Sequence, residues 1–70
     1  MKITINGEER EFAVEVDSVP LEELLRRHLE LGDAPVLVEQ NGKALLKKEF
    51  SNAQISEGDV LEIVRMVAGG

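Results

Sequence analysis

The chain begins with a strict alternation of apolar and polar side chains over Met1–Asn6. This period is typical of a β-strand with one buried face. The dipeptide Asn6-Gly7 follows and favours a tight hairpin turn, because both residue types tolerate a positive φ. A second alternating stretch covers Phe12–Val16. The pattern therefore predicts a β-hairpin over Met1–Val16.

The period then changes from that of a strand to that of a helix. Apolar positions recur at i, i+3, i+4 and i+7, and charged residues fill the rest of the circumference. Asp17 or Ser18 is placed to cap the start, and Pro20 suits the first turn. Gly32 suits the left-handed position that ends a helix, so we predict a helix over Pro20–Leu31. The residues of the apolar stripe are Leu21, Leu24, Leu25 and His28.

Shorter elements follow the helix, separated by a second Asn-Gly turn at Asn41-Gly42. In chain order, the predictions are a strand over Pro35–Glu39, a brief partner strand at Ala44–Leu46, a capped single turn at Ser51–Gln54, a tight turn at Glu57–Asp59 and a last strand over Val60–Val67. Ala68-Gly69-Gly70 comes after that strand.

This order of elements predicts the topology of the domain. A helix that crosses back after a hairpin allows the first and last strands to lie side by side and parallel, with the helix on one face of the sheet. We therefore predict an α+β fold of the β-grasp, or ubiquitin-like, class. It has a mixed sheet of four to five strands covered by one main helix. The β-grasp domain is predicted over residues 1–67, and residues 68–70 are predicted to form a flexible C-terminal Ala-Gly-Gly tail.

Composition and charge narrow the class of protein. The 70 residues allow one small domain, and the absence of cysteine excludes disulfides, thiolate metal sites and a cysteine nucleophile. A formal net charge of -6 and an aromatic content of 3% disfavour binding to nucleic acid. No apolar run approaches the length of a membrane span, and no signal-peptide pattern opens the chain. We expect a cytoplasmic protein with no membrane partner.

The sequence offers little material for an active site of its own. The single histidine, His28, has no evident serine and carboxylate partners for a catalytic relay, and its place on the apolar side of the helix favours a structural role. No glycine-rich phosphate loop, calcium loop or zinc-ligand set is present in the sequence. We therefore predict that the protein is not an enzyme and binds no cofactor or metal.

The terminal Gly69-Gly70 pair is the most informative chemical feature. At ordinary glycine usage such a pair occurs by chance in roughly one chain in 200. A frayed tail or a cloning remnant would explain it without function. A tail without side chains, however, can thread into the active site of another protein and present the carboxylate of Gly70 there. ATP can activate that carboxylate as an acyl-adenylate, and a sulfur nucleophile can then displace AMP.

Several segments, in this order and spacing, resemble the ubiquitin-like sulfur carriers of bacterial thiamin biosynthesis (the ThiS family). They are an opening strand running into Asn6-Gly7, the pair Leu24-Leu25, Val36-Leu37-Val38 before Asn41-Gly42, and Gly58-Asp59-Val60-Leu61-Glu62-Ile63-Val64 before Val67-Ala68-Gly69-Gly70. The likeness covers essentially the whole chain. The small subunit of molybdopterin synthase also ends in Gly-Gly and remains an alternative, as do other ubiquitin-like sulfur carriers.

The resemblance implies a reaction cycle in which this chain is the substrate. An E1-like adenylyltransferase uses ATP to adenylate the carboxylate of Gly70. Sulfur mobilised by a cysteine desulfurase then converts it to a thiocarboxylate. Thiazole synthase takes the sulfur to form the thiazole ring. Ala68 and Gly69 are expected to thread into the partner, and the free carrier is expected to be a monomer.

Alternation along the last strand predicts the docking surface. If Leu61 and Ile63 face the helix, the intervening side chains face outward and form a small exposed patch beside the tail. Coverage of these side chains by their neighbours is the alternative, and a ubiquitin-like binding adaptor recognised through the same face is the alternative function. The predicted partner interface consists of Glu62, Val64, Met66 and Val67.

Overall fold

The computed structural model describes residues 1–31 and 33–66. Its strands are β1 (Lys2–Ile5), β2 (Glu8–Glu11), β3 (Ser18–Pro20), β4 (Val36–Gln40), β5 (Lys43–Leu45), β6 (Gln54–Ser56) and β7 (Val60–Arg65). They form a five-stranded sheet in the order β2-β1-β7-β4-β5 and a two-stranded sheet of β3 and β6. The helix α1 (Leu21–Glu23) is continued by a π-helical turn (Leu24–His28), and a 3-10 helix (Lys47–Glu49) follows β5.

The last strand lies at the centre of the large sheet. β7 pairs in parallel with β1, where Thr4 lies beside Val60, and antiparallel with β4, where Val38 lies beside Ile63. The sheet is therefore mixed, and the helix formed by α1 and the π-helical turn packs against one of its faces. This arrangement confirms the predicted α+β fold of the β-grasp class.

The core lies between the helix and one face of the five-stranded sheet. Alternate residues of β1, β4 and β7 contribute to it, as the period of a strand with one buried face requires. Among the described residues, no polar or charged side chain is buried. The buried side chains are Ile3, Ile5, Phe12, Val19, Leu21, Leu24, Leu25, Val36, Val38, Phe50, Ile55, Leu61 and Ile63.

The opening hairpin forms, but its second strand lies earlier than predicted. Asn6 and Gly7 have φ values of 51° and 84°, as the predicted turn requires. The returning strand begins directly after the turn, at Glu8–Glu11, and not at Phe12–Val16. All four side chains of β2 are exposed because it is an edge strand beyond the helix. Since neither of its faces is covered, β2 carries no alternation for sequence reasoning to detect.

The helix ends earlier than the predicted Leu31. The π-helical turn closes with a hydrogen bond from the Leu29 N–H to the Leu24 carbonyl at 3.0 Å, and regular helix stops at His28. Glu30 then adopts a left-handed φ of 56°, and the Leu31 N–H bonds the Leu25 carbonyl at 2.8 Å across it. Gly32, predicted to end the helix, lies outside the described residues.

Neither Asp17 nor Ser18 caps the helix, so that prediction is wrong. Pro20 takes the N-cap position with extended backbone, and no side chain caps the helix. Instead, the Leu21 N–H donates to the Ala53 carbonyl at 2.9 Å. Ser18 lies in β3, whose pairing with β6 holds the start of the helix against the later part of the chain.

The segment after β5 also differs from its prediction. The helical turn lies at Lys47–Glu49, before the predicted Ser51–Gln54. Its start is held by the Glu49 carboxylate, which accepts a hydrogen bond from the Leu46 N–H at 2.7 Å. The Glu57–Asp59 turn is confirmed, with Gly58 at a φ of 85°.

Candidate docking face and carboxyl-terminal segment

β7 leads toward the carboxyl terminus and separates its side chains cleanly between two environments. Leu61 is fully buried and Ile63 is 8% exposed, and both contribute to the core. Val64 is 55% exposed and Met66, just after the strand, is 43% exposed. Glu62 is exposed as well. The predicted outward orientation of these three side chains is confirmed.

Neighbouring strands enlarge the patch that alternation along β7 predicted. We call the side of the five-stranded sheet away from the helix the outer face. The register places Leu37 of β4 beside Val64, and Glu39 beside Glu62. Leu37 is 58% exposed and Val60, earlier on β7, is 45% exposed. Leu37, Glu39 and Val60 were not predicted as members of this surface, although the alternation of β4 identifies the first two once its register is known.

A side chain from the first turn holds β7 against β1. The Asn6 Oδ1 atom accepts a hydrogen bond from the Ile63 N–H at 2.8 Å, and its Nδ2 donates to the Ile63 carbonyl at 3.0 Å. The Asn6 N–H also bonds the Leu61 carbonyl at 2.9 Å. The side-chain amide thus continues the parallel ladder beyond the end of β1.

The second Asn-Gly turn holds the start of β7 from the other side. The Val60 N–H donates to Asn41 Oδ1 at 2.9 Å, and the Asn41 N–H donates to the Val60 carbonyl at 2.7 Å. The two asparagines therefore act both as turn residues and as fixed points for the same strand. A one-residue slip of β7 would break both sets of bonds and exchange its two faces.

The carboxylate of Asp59 organises the turn before β7. It accepts hydrogen bonds from the Ser56 N–H at 2.8 Å, from Gln40 Nε2 at 3.0 Å and from Asn41 Nδ2 at 3.1 Å. Partial burial raises the pKa of Asp59, but these three hydrogen bonds together outweigh burial and hold the pKa below its ordinary value. Asp59 is therefore ionised at neutral pH and ties three segments together.

The structure gives His28 the structural role expected from its position on the helix. Its ring packs edge-to-face on Phe12, with ring centroids 5.5 Å apart. Within residues 1–31 and 33–66, no group of histidine, aspartate and glutamate side chains is arranged to hold a metal ion. In that same part of the chain, no helix is long and apolar enough to cross a membrane.

The predicted tail residues Val67, Ala68, Gly69 and Gly70 lie outside the described residues. The last described backbone group before them is well anchored, because the Met66 N–H bonds the Pro35 carbonyl at 2.9 Å. β7 is thus paired with β4 up to Arg65, whereas on the other side its pairing with β1 ends at Leu61 and is extended to Ile63 by Asn6.

A groove of about 300 Å³ borders the outer face on the side of β5. Leu37 and Met66 belong to both surfaces, and the buried residues Leu25 and Phe50 line its interior. Charged side chains of both signs, including Arg26 and Asp33, also line the groove, so its charge favours no one class of ligand.

Comparisons with known proteins support the fold, and they match this chain over nearly its whole length. The ThiS family profile matches residues 3–70. A thiamine biosynthesis protein (ThiS) from Geobacter metallireducens is 31% identical in sequence, and its crystal structure superposes with a TM-score of 0.82. The match covers 100% of both chains. An NMR solution structure of the same Geobacter metallireducens protein is 30% identical with a TM-score of 0.75, and the match covers 100% of this chain and 88% of that one.

A curated relative, the thiazole synthase of Paramagnetospirillum magneticum, is 39% identical over all 70 residues of this chain. The chain spans only 20% of the length of that protein.

Proposed function

The chain belongs to the ThiS family, and from this membership we propose that it is a sulfur carrier that delivers sulfur for thiazole formation in thiamin biosynthesis. The observation that carries the proposal is that the family match extends through Gly70, so it includes the terminal glycine pair. In this role the chain is a protein substrate, and the catalytic groups belong to its partners.

The proposed chemistry takes place on the carboxylate of Gly70. A carboxylate oxygen attacks the α-phosphorus of ATP on an E1-like adenylyltransferase, pyrophosphate leaves, and an acyl-adenylate forms. Hydrosulfide, or an equivalent supplied through a cysteine desulfurase, attacks the acyl carbon and expels AMP. The product is a thiocarboxylate. When thiazole synthase takes the sulfur, an oxygen from the acceptor substrate or from water replaces it on the acyl carbon and the carboxylate returns, so the carrier itself undergoes no net change and needs no bound cofactor.

The architecture supports delivery of a carboxyl terminus. β7 is the central strand of the sheet. Just after its carboxyl end, the Met66 N–H donates a hydrogen bond to the Pro35 carbonyl. The four residues after Met66 span at most about 14 Å when fully extended. A partner that binds Gly70 in its active site must therefore contact the end of β7. The proposed contacts are Glu62, Val64 and Met66, followed by Val67, with Ala68 and Gly69 passing into the active site.

The relatives support the choice of pathway and of acceptor. A Geobacter metallireducens protein, solved both by crystallography and by NMR, is described as a thiamine biosynthesis protein, and a curated relative containing a matching segment is named a thiazole synthase. A carrier that visits an activator and then an acceptor must dissociate from each, so both complexes are expected to be transient. Because adenylation consumes ATP, we place the cycle in the cytoplasm, with a carrier that is monomeric between encounters.

A ubiquitin-like binding adaptor is the second candidate function, because Val64 and Met66 are exposed on the outer face. In that case the sheet surface is sufficient for function and the tail is incidental. The small subunit of molybdopterin synthase is a variant of the first candidate, since it uses the same terminal chemistry with a different acceptor.

Intact-protein mass spectrometry tests the proposal. The protein is first weighed as isolated from its source organism, to establish that it ends at Gly70. It is then incubated with ATP, the E1-like enzyme of the same organism and a sulfide source. We expect the mass gain of one oxygen-to-sulfur exchange. Deleting Gly70, or adding one serine after it, abolishes the gain while the circular dichroism spectrum stays unchanged.

Two results contradict the proposal. One is an unchanged mass for the wild-type chain although the enzyme binds it and hydrolyses ATP. The other is a serine-extended variant that keeps full biological function, which supports the adaptor instead. For the choice of acceptor, thiazole synthase and molybdopterin synthase are each offered the thiocarboxylate, and release of sulfur to the second alone would redirect the pathway.

A further inference from the structure

Two glutamates face each other at the centre of the outer face. Glu39 of β4 lies directly opposite Glu62 of β7, and both side chains are exposed. Like charges directly opposite each other on neighbouring antiparallel strands destabilise a sheet. The pair is therefore an unfavourable feature of the isolated fold.

Neither glutamate forms an ion pair in the described part of the chain. The one ion pair among residues 1–31 and 33–66 joins Arg27 to Glu23 on the helix. On β5, the residue beside Glu39 is Ala44. Along the strands, the exposed apolar residues Leu37, Val60 and Val64 lie next to the two carboxylates. The outer face thus presents two negative charges within an apolar surface.

We propose that Glu39 and Glu62 together receive one basic side chain, an arginine or lysine, of the E1-like activating enzyme. Leu37, Val60 and Val64 form the apolar surface around that contact. The inference rests on the proposed carrier function. A cation placed between the two carboxylates removes their repulsion only in the complex, so the charge pair favours the bound state over the free one.

The activating enzyme is the partner that needs such a contact most. Any chain that ends in two glycines presents nearly the same tail, so selection of the correct carrier must come from its folded surface. The six residues that follow Val64 span about 20 Å when fully extended. An enzyme that holds Gly70 in its active site therefore lies within reach of this face.

A second copy of the chain does not fit the same surface. It would present the same glutamate pair, and two chains of formal net charge -6 repel each other. We expect the free chain to sediment as a monomer at micromolar concentration, and a stable dimer broken by Glu62→Lys would overturn the assignment of partner.

The test compares Glu39→Gln and Glu62→Gln with Glu9→Gln as the matched control. Glu9 is exposed on β2 opposite Thr4, so the control removes one negative charge away from the pair. Binding to the E1-like enzyme is measured by isothermal titration calorimetry at physiological salt. Each pair variant is expected to bind about threefold to tenfold more weakly. The control is expected to stay within about twofold of wild type.

Thermal unfolding distinguishes the proposed contact from a structural role of the pair. If the two glutamates stabilised the fold, replacing either one would lower the melting temperature. Removing the repulsion should raise the melting temperature of each pair variant by about 2–4 °C, although binding weakens. The loss of affinity in the double variant should be smaller than the product of the two single-variant losses, because both carboxylates bind one cation.

Wild-type affinity in both pair variants would overturn the inference, as would an equal loss of affinity in Glu9→Gln, which would indicate steering by net charge alone. The outcome is separable from that of the carrier proposal. A chain that binds the enzyme through the glutamate pair but gains no sulfur contradicts the carrier function. A chain that gains sulfur equally well without the pair contradicts only the docking contact.

Discussion

The two faces of β7 lie in different environments, one in the core and one exposed. Its inner residues, Leu61 and Ile63, are buried against the helix, whereas Val64 on the outer face remains 55% exposed. Adjacent residues of the strand therefore contribute to separate properties. The inner set stabilises the domain, and the outer set is available for a partner at little cost in stability. The outer face can therefore change without loss of the fold.

This separation depends on the register of the strand. Asn6 and Asn41 bond the backbone of β7 from opposite sides, and the Asp59 network holds the turn before it. The period of a strand is two residues, so a slip of one residue would bury Glu62 and expose Leu61. Polar contacts from the turns at the ends of β1 and β4 thus maintain the distinction between the two faces of the sheet.

The largest expected effect comes from truncating a buried residue. Leu61→Ala should lower the free energy of unfolding by about 2–5 kcal/mol, because Leu61 is fully buried and its loss leaves a cavity. Val64→Ala, the matched change on the outer face, should cost less than about 0.5 kcal/mol. Urea unfolding followed by circular dichroism measures both. Similar losses for the two variants would contradict the separation of the faces.

A smaller effect is expected from the residue that holds the register. Asn6→Gly keeps a turn that tolerates positive φ but removes two hydrogen bonds to Ile63, so it should cost about 1–3 kcal/mol. Hydrogen exchange of the Ile63 amide should accelerate. Asn41→Gly is the comparison, and we expect a smaller loss because its side-chain bonds are more exposed. The reverse order would show that β4, and not β1, fixes the strand.

The smallest effect is a dependence of stability on pH through Asp59. Because its pKa is lower in the folded chain than in the unfolded chain, the carboxylate stabilises the fold above its ordinary pKa. That contribution is lost as the pH falls through the folded-state pKa. The advantage of wild type over Asp59→Asn in urea unfolding should therefore shrink as the pH is lowered from neutrality through the ordinary aspartate pKa and below it. A constant difference would show that the network acts without the charge.

Sequence patterns predicted the elements whose two faces lie in different environments. β1 and β7 each have one covered face, so the alternation within them was visible. β4 begins with three consecutive apolar residues, and it was predicted from that run before the Asn41-Gly42 turn. β2 is an edge strand with every side chain exposed, and β3 and β6 have three residues each, too few to establish a period. The π-helical turn and the left-handed φ of Glu30 were also not predicted, because they arise from packing at the end of the helix and not from local propensity.

The candidate site was predictable only along one strand. Alternation within β7 identified the outward orientation of Glu62, Val64 and Met66. The contribution of β4 required the register that places Leu37 beside Val64, and register is a property of the folded sheet. The roles of Val67, Ala68, Gly69 and Gly70 stay predictions that the proposed experiments test.

The central place of β7 also has a mechanical consequence. Its ladders to β1 and β4 run alongside it, and the Met66 N–H is bonded to Pro35 at the carboxyl end. Tension applied at that end acts along the strand and perpendicular to the hydrogen bonds of the antiparallel ladder to β4, so it loads those bonds in shear. A partner that pulled on the carboxyl terminus would thus act on a strand that resists being pulled out of the sheet.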